Sequence, residues 1–216
     1  MSLRIPATLL VTAALLFAAG CSILPESEPT TLYRLPASDL PPAAASTSSA
    51  TQRLGIAEPE AGQLLSSNRI VVYPEGNIVN VYEGARWHED APELIQARLI
   101  TGLQQSQLFA GVGSDRLPHD LLLLSELRHF QSDYVTNPPT VKVELDVQLV
   151  SAQNRTPLAA MNFSTRAQAS SVDITAVVDA FGSASDELTA QLANWLAQQT
   201  GLICPPDQCL RKNIKG

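Results

Sequence analysis

Apolar and polar residues alternate most regularly between positions 140 and 169. Residues 140–150, TVKVELDVQLV, place five valines and leucines between polar neighbours, and residues 159–169, AAMNFSTRAQA, continue the alternation. Successive side chains of a β-strand point to opposite faces of a sheet, so this pattern indicates strands with one dry and one wet face. Residues 119–132, HDLLLLSELRHFQS, are typical of a more deeply buried strand. Three neighbouring antiparallel strands are therefore expected.

Two other segments follow the period of an α-helix. The first extends over about residues 91–108, where Asp90 can cap its start and Glu93 can complete a capping box. The second begins after Asp173, and its apolar residues recur at helical spacing until TGLICPP at 200–206.

Shorter extended segments precede the first helix. They are TTLYRLPA, RLGIAEP and NRIVVYPEGNIVNVYE, and the PEGN in the last of them indicates a hairpin. GVGSD, residues 111–115, is expected to be a turn after the first helix. The predicted fold is α+β, an antiparallel β-sheet with two helices packed on one face, in the order β(ββ)αβββα.

One domain is expected, over residues 32–203. Within it, residues 36–52 are rich in Ala, Ser, Thr and Pro, with Leu40 the only large apolar side chain. Such a segment buries too little surface to offset the entropy lost on ordering, so it is predicted to be a flexible connector.

The amino terminus has the pattern of an export signal. Residues 7–19 are apolar apart from two threonines, and Arg4 precedes them. The run is shorter than the roughly 20 residues needed to span a bilayer, which favours a cleaved signal peptide over residues 1–20. The AAGC that ends it resembles a bacterial lipobox, which implies that Cys21 becomes the first residue and carries a diacylglycerol and an N-acyl chain. The alternative is a plain exported protein in which Cys21 is a free or disulfide-bonded thiol.

Residues 21–31 are then expected to be a lipidated tether. Two or three acyl chains hold a protein on a membrane far more firmly than one. In lipoprotein sorting of Gram-negative bacteria, an Asp directly after the cysteine retains the protein at the inner membrane, and Ser22 stands here instead. By that resemblance the anchor lies in the outer membrane and faces the periplasm. Some species read this signal differently, which leaves the periplasmic face of the inner membrane as the alternative.

The net charge indicates which partners are expected, and the last two cysteines indicate a possible disulfide. The chain has a net charge of −7, so no basic surface for nucleic acid or anionic lipid is expected. Cys204 and Cys209 enclose four residues in the expected tail, 204–216, where a disulfide would stabilise the protein by roughly 2 kcal/mol. A metal pair is the alternative, although no third or fourth ligand lies nearby in the sequence.

No motif in the chain predicts catalysis. His88, Glu89 and Asp90 place an imidazole beside two carboxylates, which permits acid–base chemistry, but acidic residues are also common at the start of a helix. GVGSD is neither a nucleophile elbow nor a phosphate-binding loop, which leaves Ser114 without a recognisable motif. None of the three histidines has a second ligand at helical spacing, so no metal site is expected. Neither a catalytic residue nor a cofactor other than the acyl chains on Cys21 is predicted.

Three further residues are candidates for partner contact. They are Arg86, Trp87 and Trp195. Core packing is the alternative role for each tryptophan.

The order of these features resembles the ABC-type transport auxiliary lipoprotein family, which contains the PqiC-like lipoproteins. The family pattern has a Tyr-x-Leu strand, an Ile-Val strand, a hairpin leading to Arg-Trp before a helix, a Leu-x-x-Phe strand and a closing helix with Trp-Leu. The matching positions here are Tyr33 and Leu35, Ile70 and Val71, Arg86 and Trp87, Leu127 and Phe130, and Trp195 and Leu196. Residues 36–52 and the cysteine pair lie outside this pattern.

The resemblance implies a role in moving lipids between membranes. Members of this family are the outer-membrane-side component of transporters that contain a mammalian-cell-entry domain protein, an inner-membrane permease and a cytoplasmic ATPase. The expected function is to dock such a transporter for phospholipid trafficking and envelope integrity, with self-association left open. One alternative is a pilotin-like assembly lipoprotein for another outer-membrane machine. A lipid hydrolase is a second alternative.

Overall fold

The computed structural model describes residues 29–38 and 51–199, which form nine strands and two helices. The helices are α1, Ala91–Gln105, and α2, Ile174–Gln198. The strands are β1 Thr31–Tyr33, β2 Arg53–Ile56, β3 Glu60–Ala61, β4 Arg69–Glu75, β5 Ile78–Trp87, β6 Gly111–Ser114, β7 Leu121–Asp133, β8 Thr140–Ser151 and β9 Pro157–Gln168.

Strand β7 organises the sheet. One of its edges pairs antiparallel with β8 over the full length of both strands, and β9 lies antiparallel beyond β8. The other edge pairs in succession with β2, β3 and β4, all parallel to it. A hairpin adds β5 to β4, β1 lies parallel beyond β5, and β6 lies parallel beyond β2.

The predicted α+β fold with two helices is confirmed. The three long antiparallel strands lie where the alternating pattern placed them, and the PEGN segment forms the β4–β5 hairpin with Gly76 at φ 49°. The sheet is nevertheless mixed rather than purely antiparallel, because residues 53–75 run parallel to β7 as three short strands. In strands this short, the pattern of apolar and polar residues does not show whether the strand runs parallel or antiparallel to its neighbour.

Two local predictions are wrong. Residues 111–114 form strand β6 instead of a turn, because pairing with β2 holds this glycine-rich stretch extended. Asp90 does occupy the position before α1, but its side chain makes no capping hydrogen bond, so the capping box with Glu93 is not formed. The helix instead starts with a proline in its first turn, where a missing amide proton costs little.

The core lies between the two helices and the inward face of the sheet. Val141, Val143 and Leu145 of β8 are completely buried, as the alternation required. Three aromatic rings from different elements meet in the same core. The Trp87 ring lies 5.1 Å from that of Phe181, and the Phe130 ring lies 4.7 Å from that of Phe181, measured between centroids. The last strand residue before α1, the middle of β7 and helix α2 are therefore joined by one ring cluster.

We predict that Phe181→Ala destabilises the domain by about 3–5 kcal/mol, because it removes the ring that contacts both other aromatics and leaves a cavity. The free energy of unfolding in urea, followed by the fluorescence of Trp87 and Trp195, measures the change. Leu117→Ala is the matched control, since Leu117 is 58% exposed and its loss should cost little. Equal stability of the two variants would contradict the packing described here.

Candidate functional site

Residues 31–38, called the strap here, connect the expected anchor to the domain. Thr31, Leu32 and Tyr33 form β1 beside the last residues of β5, and the amide of His88 donates to the Tyr33 carbonyl at 2.9 Å. A chain that enters a sheet by backbone pairing is held along its length. The strap is thus part of the fold ten residues after Cys21.

A buried arginine fastens the next part of the strap. Arg98 of α1 is 7% exposed and forms an ion pair with Asp186 of α2 at 2.8 Å. The same guanidinium donates a hydrogen bond to the Pro36 carbonyl, and the Ser38 hydroxyl donates to Asp186 at 2.8 Å. A charge removed from water needs both an opposite charge and further hydrogen-bond partners, and these groups supply them. Arg98 therefore joins α1, α2 and the strap at one point.

A glycine of α2 makes room for the strap. A Cβ atom at Gly182 would lie 2.9 Å from Cδ of Pro36, well inside ordinary contact. Glycine in a helix interior costs about 1 kcal/mol relative to alanine, and here it permits close contact with the proline ring. The segment predicted to be a flexible connector therefore begins with docked residues, Pro36–Ser38. Residues 39–50 lie outside the described part of the chain.

A cleft of about 770 Å³ separates the strap from α1. Its walls are the strap itself and α1, where exposed Ala97 and Thr101 and buried Leu94 line it. Leu32 is 62% exposed at this cleft. The strap is consequently bound at its ends and its middle, with open space beside it.

The residues predicted for partner contact occupy different environments. Trp87 is fully buried, which corresponds to the core role offered as the alternative. Arg86 is half-buried and donates to the backbone carbonyls of Tyr82 and Ala85. Trp195 is also half-buried and packs edge-to-face on Phe163 at 5.9 Å between centroids, away from the Trp87 ring cluster. The structure does not bring the three together into one surface.

The other candidate residues make no site within the described residues. His88 and Glu89 lie 3.7 Å apart near the surface, and Ser114 ends strand β6. No group of three or more potential metal ligands occurs in residues 29–38 and 51–199. Cys21, Ser22, Cys204 and Cys209 lie outside the described residues, so lipidation, sorting and the disulfide remain predictions.

The wet face of β7–β9 carries a ladder of paired charges. Arg128 binds Asp146 at 2.7 Å, and Asn162 donates to the same carboxylate at 2.6 Å. Next along β8, Lys142 binds Glu144 at 2.6 Å. The hydrogen bond from Lys142 holds the pKa of Glu144 below its usual value, and bonds from Asn162 and Arg128 lower the pKa of Asp146. Because these charges are paired, within β8 for Lys142 and Glu144 and across strands for Arg128 and Asp146, the face is well suited to solvent.

We predict that Arg98→Met destabilises the domain by about 3 kcal/mol, near the lower end for a broken buried pair because Asp186 keeps partial access to water. The strap should also loosen. Limited trypsin digestion with mass identification should then show faster cleavage after Arg34, which is exposed within the strap.

The control for this prediction is Arg116→Met, at an exposed loop position that does not line the cleft beside the strap. It should leave both stability and cleavage after Arg34 unchanged. Unchanged cleavage in Arg98→Met would show that backbone pairing alone holds the strap.

We predict that stability falls in acid partly through Glu144. Its pKa is lower in the folded protein than in the unfolded chain, so its contribution is complete above its usual value of 4.5 and is lost as the pH falls through the lower, folded value. Glu144→Gln should therefore weaken the pH dependence of the free energy of unfolding between pH 5 and pH 3. Lys142→Met, which removes the main donor, should act in the same direction. An unaltered pH profile in both variants would exclude this pair as a source of acid sensitivity.

Within the described residues, neither helix has the length and apolar composition that crossing a bilayer requires. Two solved structures are similar to the fold of this chain. Protein XCC0632 from Xanthomonas campestris, a DUF330 protein of known crystal structure, is 26% identical, with a TM-score of 0.66 over 81% of this chain and 98% of that one. A second crystal structure, of an uncharacterized protein, is 15% identical over 78% of this chain and 99% of that one, with a TM-score of 0.64, and supports the fold alone. Among curated proteins, no relative matches the sequence.

The family match covers most of the chain. The model for the ABC-type transport auxiliary lipoprotein component matches residues 33–193, from the tyrosine of β1 into the last turns of α2. It therefore includes residues 33–38 of the strap, the Arg98 contacts and every strand from β2 to β9. The resemblance drawn from the sequence is confirmed, and the chain belongs to the family of auxiliary lipoprotein components of ABC-type transport systems.

Proposed function

We propose that Cys21 carries a thioether-linked diacylglycerol and an N-acyl chain that hold this domain on the periplasmic face of the outer membrane. From there it serves as the auxiliary component of a mammalian-cell-entry lipid transport system, together with a permease and an ATPase. Family membership supports the transport role, and Ser22 in the sorting position supports the outer membrane.

The strap is the observation that carries this proposal. Only nine residues separate Cys21 from Thr31, where β1 begins, and nine extended residues span at most about 30 Å. An acyl anchor on Cys21 would therefore keep the domain close to the bilayer. The Arg98 contacts join the strap to both helices, so a pull on the anchor acts on the whole domain.

Docking is the role that this arrangement suits. The anchor is short and the strap is fixed to the domain at several points. The charges on the solvent-facing side of the sheet are paired with one another. Together these features make the domain a firm attachment point at a membrane. A transporter that extends across the periplasm needs such a point at its far end. In this proposal, phospholipid passes through the transporter, and the domain holds it in place.

We predict that Cys21→Ser abolishes attachment to the outer membrane. The wild-type protein should fractionate with the outer membrane, and its intact mass should correspond to a chain that begins at Cys21 with three acyl chains added. The variant should carry no acyl mass, keep its apolar signal of residues 1–20 and be absent from the outer-membrane fraction, because cleavage and sorting both follow lipidation of the cysteine. A wild-type mass without acyl groups, or a different first residue, would contradict the lipid anchor.

The transport role is tested in cells. Chemical cross-linking followed by purification of the wild-type protein should capture the mammalian-cell-entry protein of the same system, and deletion should increase detergent sensitivity. Loss of a secretin in the deletion strain, with no effect on lipid asymmetry, would favour a pilotin-like function instead.

A further inference from the structure

One end of the sheet exposes apolar side chains on three separate loops. The strands β4, β7 and β9 finish at this end, and β5, β8 and α2 begin there. We call its loops together the loop end: residues 75–79, 134–139 and 169–173. It holds four of the nine large apolar side chains that are exposed among the described residues, namely Ile78 at 58%, Val79 at 43%, Val135 at 81% and Val172 at 51%.

Backbone hydrogen bonds join the three loops into one continuous surface. The amide of Tyr134 donates to the Tyr73 carbonyl at 3.0 Å, which ties the middle loop to the hairpin. The amide of Ala169 donates to the Pro139 carbonyl at 2.9 Å, which ties the middle loop to the last one. The loops thus follow one another across the sheet in the spatial order of their strands.

A buried serine and two half-buried tyrosines form a hydrogen-bonded group beneath this surface. The Tyr82 hydroxyl lies 3.0 Å from that of Ser132 and donates to that of Tyr134 at 3.3 Å. Burial raises the pKa of Tyr82, so this phenol stays protonated and keeps its hydrogen bonds. A surface with fixed loops loses little conformational entropy when it binds a partner.

The charges of the loop end all have one sign. Glu75, Asp133 and Asp173 lie in or beside its loops, and residues 75–79, 133–139 and 169–173 contain no lysine or arginine. The opposite end of the sheet differs, because Arg116 and Arg155 lie in its loops. The nearest cations, Lys142 and Arg166, lie on β8 and β9 three residues inside the loops, and Lys142 is paired with Glu144. Apolar side chains bordered mainly by carboxylates would meet repulsion from the phosphates of an anionic membrane. They complement a protein surface that presents apolar and basic side chains.

We propose that the loop end is the surface that binds the transporter, through an apolar segment with lysine or arginine residues on the periplasmic side of the mammalian-cell-entry protein. This inference rests on the proposed function. It assigns the contact to Ile78, Val79, Val135 and Val172, and places it away from the residues that the sequence alone selected. The carboxylates then steer the basic partner, and the apolar side chains are buried on contact.

The direct test places a photo-reactive amino acid at position 135 of the full-length lipidated protein, by the substitution Val135→benzoylphenylalanine. The matched control is Leu117→benzoylphenylalanine, since Leu117 is similarly accessible in the loop before β7 at the opposite end. Irradiated cells should yield an adduct with the mammalian-cell-entry protein from position 135 and none from position 117.

Variants measure the strength of the contact. Val135→Asp combined with Val172→Asp should reduce capture of the mammalian-cell-entry protein by about tenfold or more, as expected when buried apolar contacts at an interface are lost. Leu117→Asp should leave capture unchanged. All variants should keep the wild-type unfolding transition, because these side chains are exposed in the free domain.

The outcomes separate this inference from the proposed function. An adduct from position 117 alone, or capture by a general lysine cross-linker that the double variant leaves intact, would overturn the loop end and keep the docking role. Absence of capture by every reagent would overturn both. Binding to vesicles of phosphatidylcholine, with and without phosphatidylglycerol, is a further test, made with the mature chain of residues 22–216, which lacks both the apolar signal and the acyl anchor. Vesicle binding that is lost in the Val135 and Val172 double variant would assign the loop end to lipid and overturn the protein contact.

Discussion

The guanidinium of Arg98 sits where the two helices and the strap meet, and the coupling between anchor and domain depends on it. It is almost completely removed from water, and it neutralises Asp186 while donating to the Pro36 carbonyl. Loss of Asp186 removes the opposite charge from a buried guanidinium, and loss of Arg98 removes the cation that balances Asp186, which costs more than the pair contributes relative to an apolar replacement. The interaction therefore specifies one position for the strap. A lipid attached ten residues earlier would be connected to the core through this point.

Strand β7 has the corresponding role in the sheet. Its thirteen residues pair with a long strand on one side and with three short strands on the other. Most of the sheet is therefore built around this one strand. The buried side chains of β7 and β8 face the helices, and the paired charges of the same strands face solvent. One face is thus committed to the core and the other to water. The two ends of the sheet differ from each other in charge and apolar exposure, which distinguishes them as surfaces for recognition.

The strongest periodic signals in the sequence identified the elements that the structure contains. The alternation in residues 140–169 located β8 and β9, and the helical period located α1 and α2, because a long element with one buried face must repeat its pattern. The hairpin at PEGN was recognised from its turn residues. The family was recognised from the order of its motifs, which can also be read directly along the chain. Prediction was wrong at GVGSD, where pairing with β2 overrides the glycine content. It was also wrong at Asp90, where the expected cap is not made.

By itself, the sequence determined the class of fold, the family and the residue at which an anchor is expected, because patterning and motif order are carried along the chain. Tertiary structure decided that β2, β3 and β4 run parallel to β7, that Trp87 belongs to the core, and that Pro36–Ser38 is docked by Arg98. It also brought three loops, separated by up to about ninety residues, to one acidic and apolar end. These features depend on which segments become neighbours in space, and no local period or propensity contains that information.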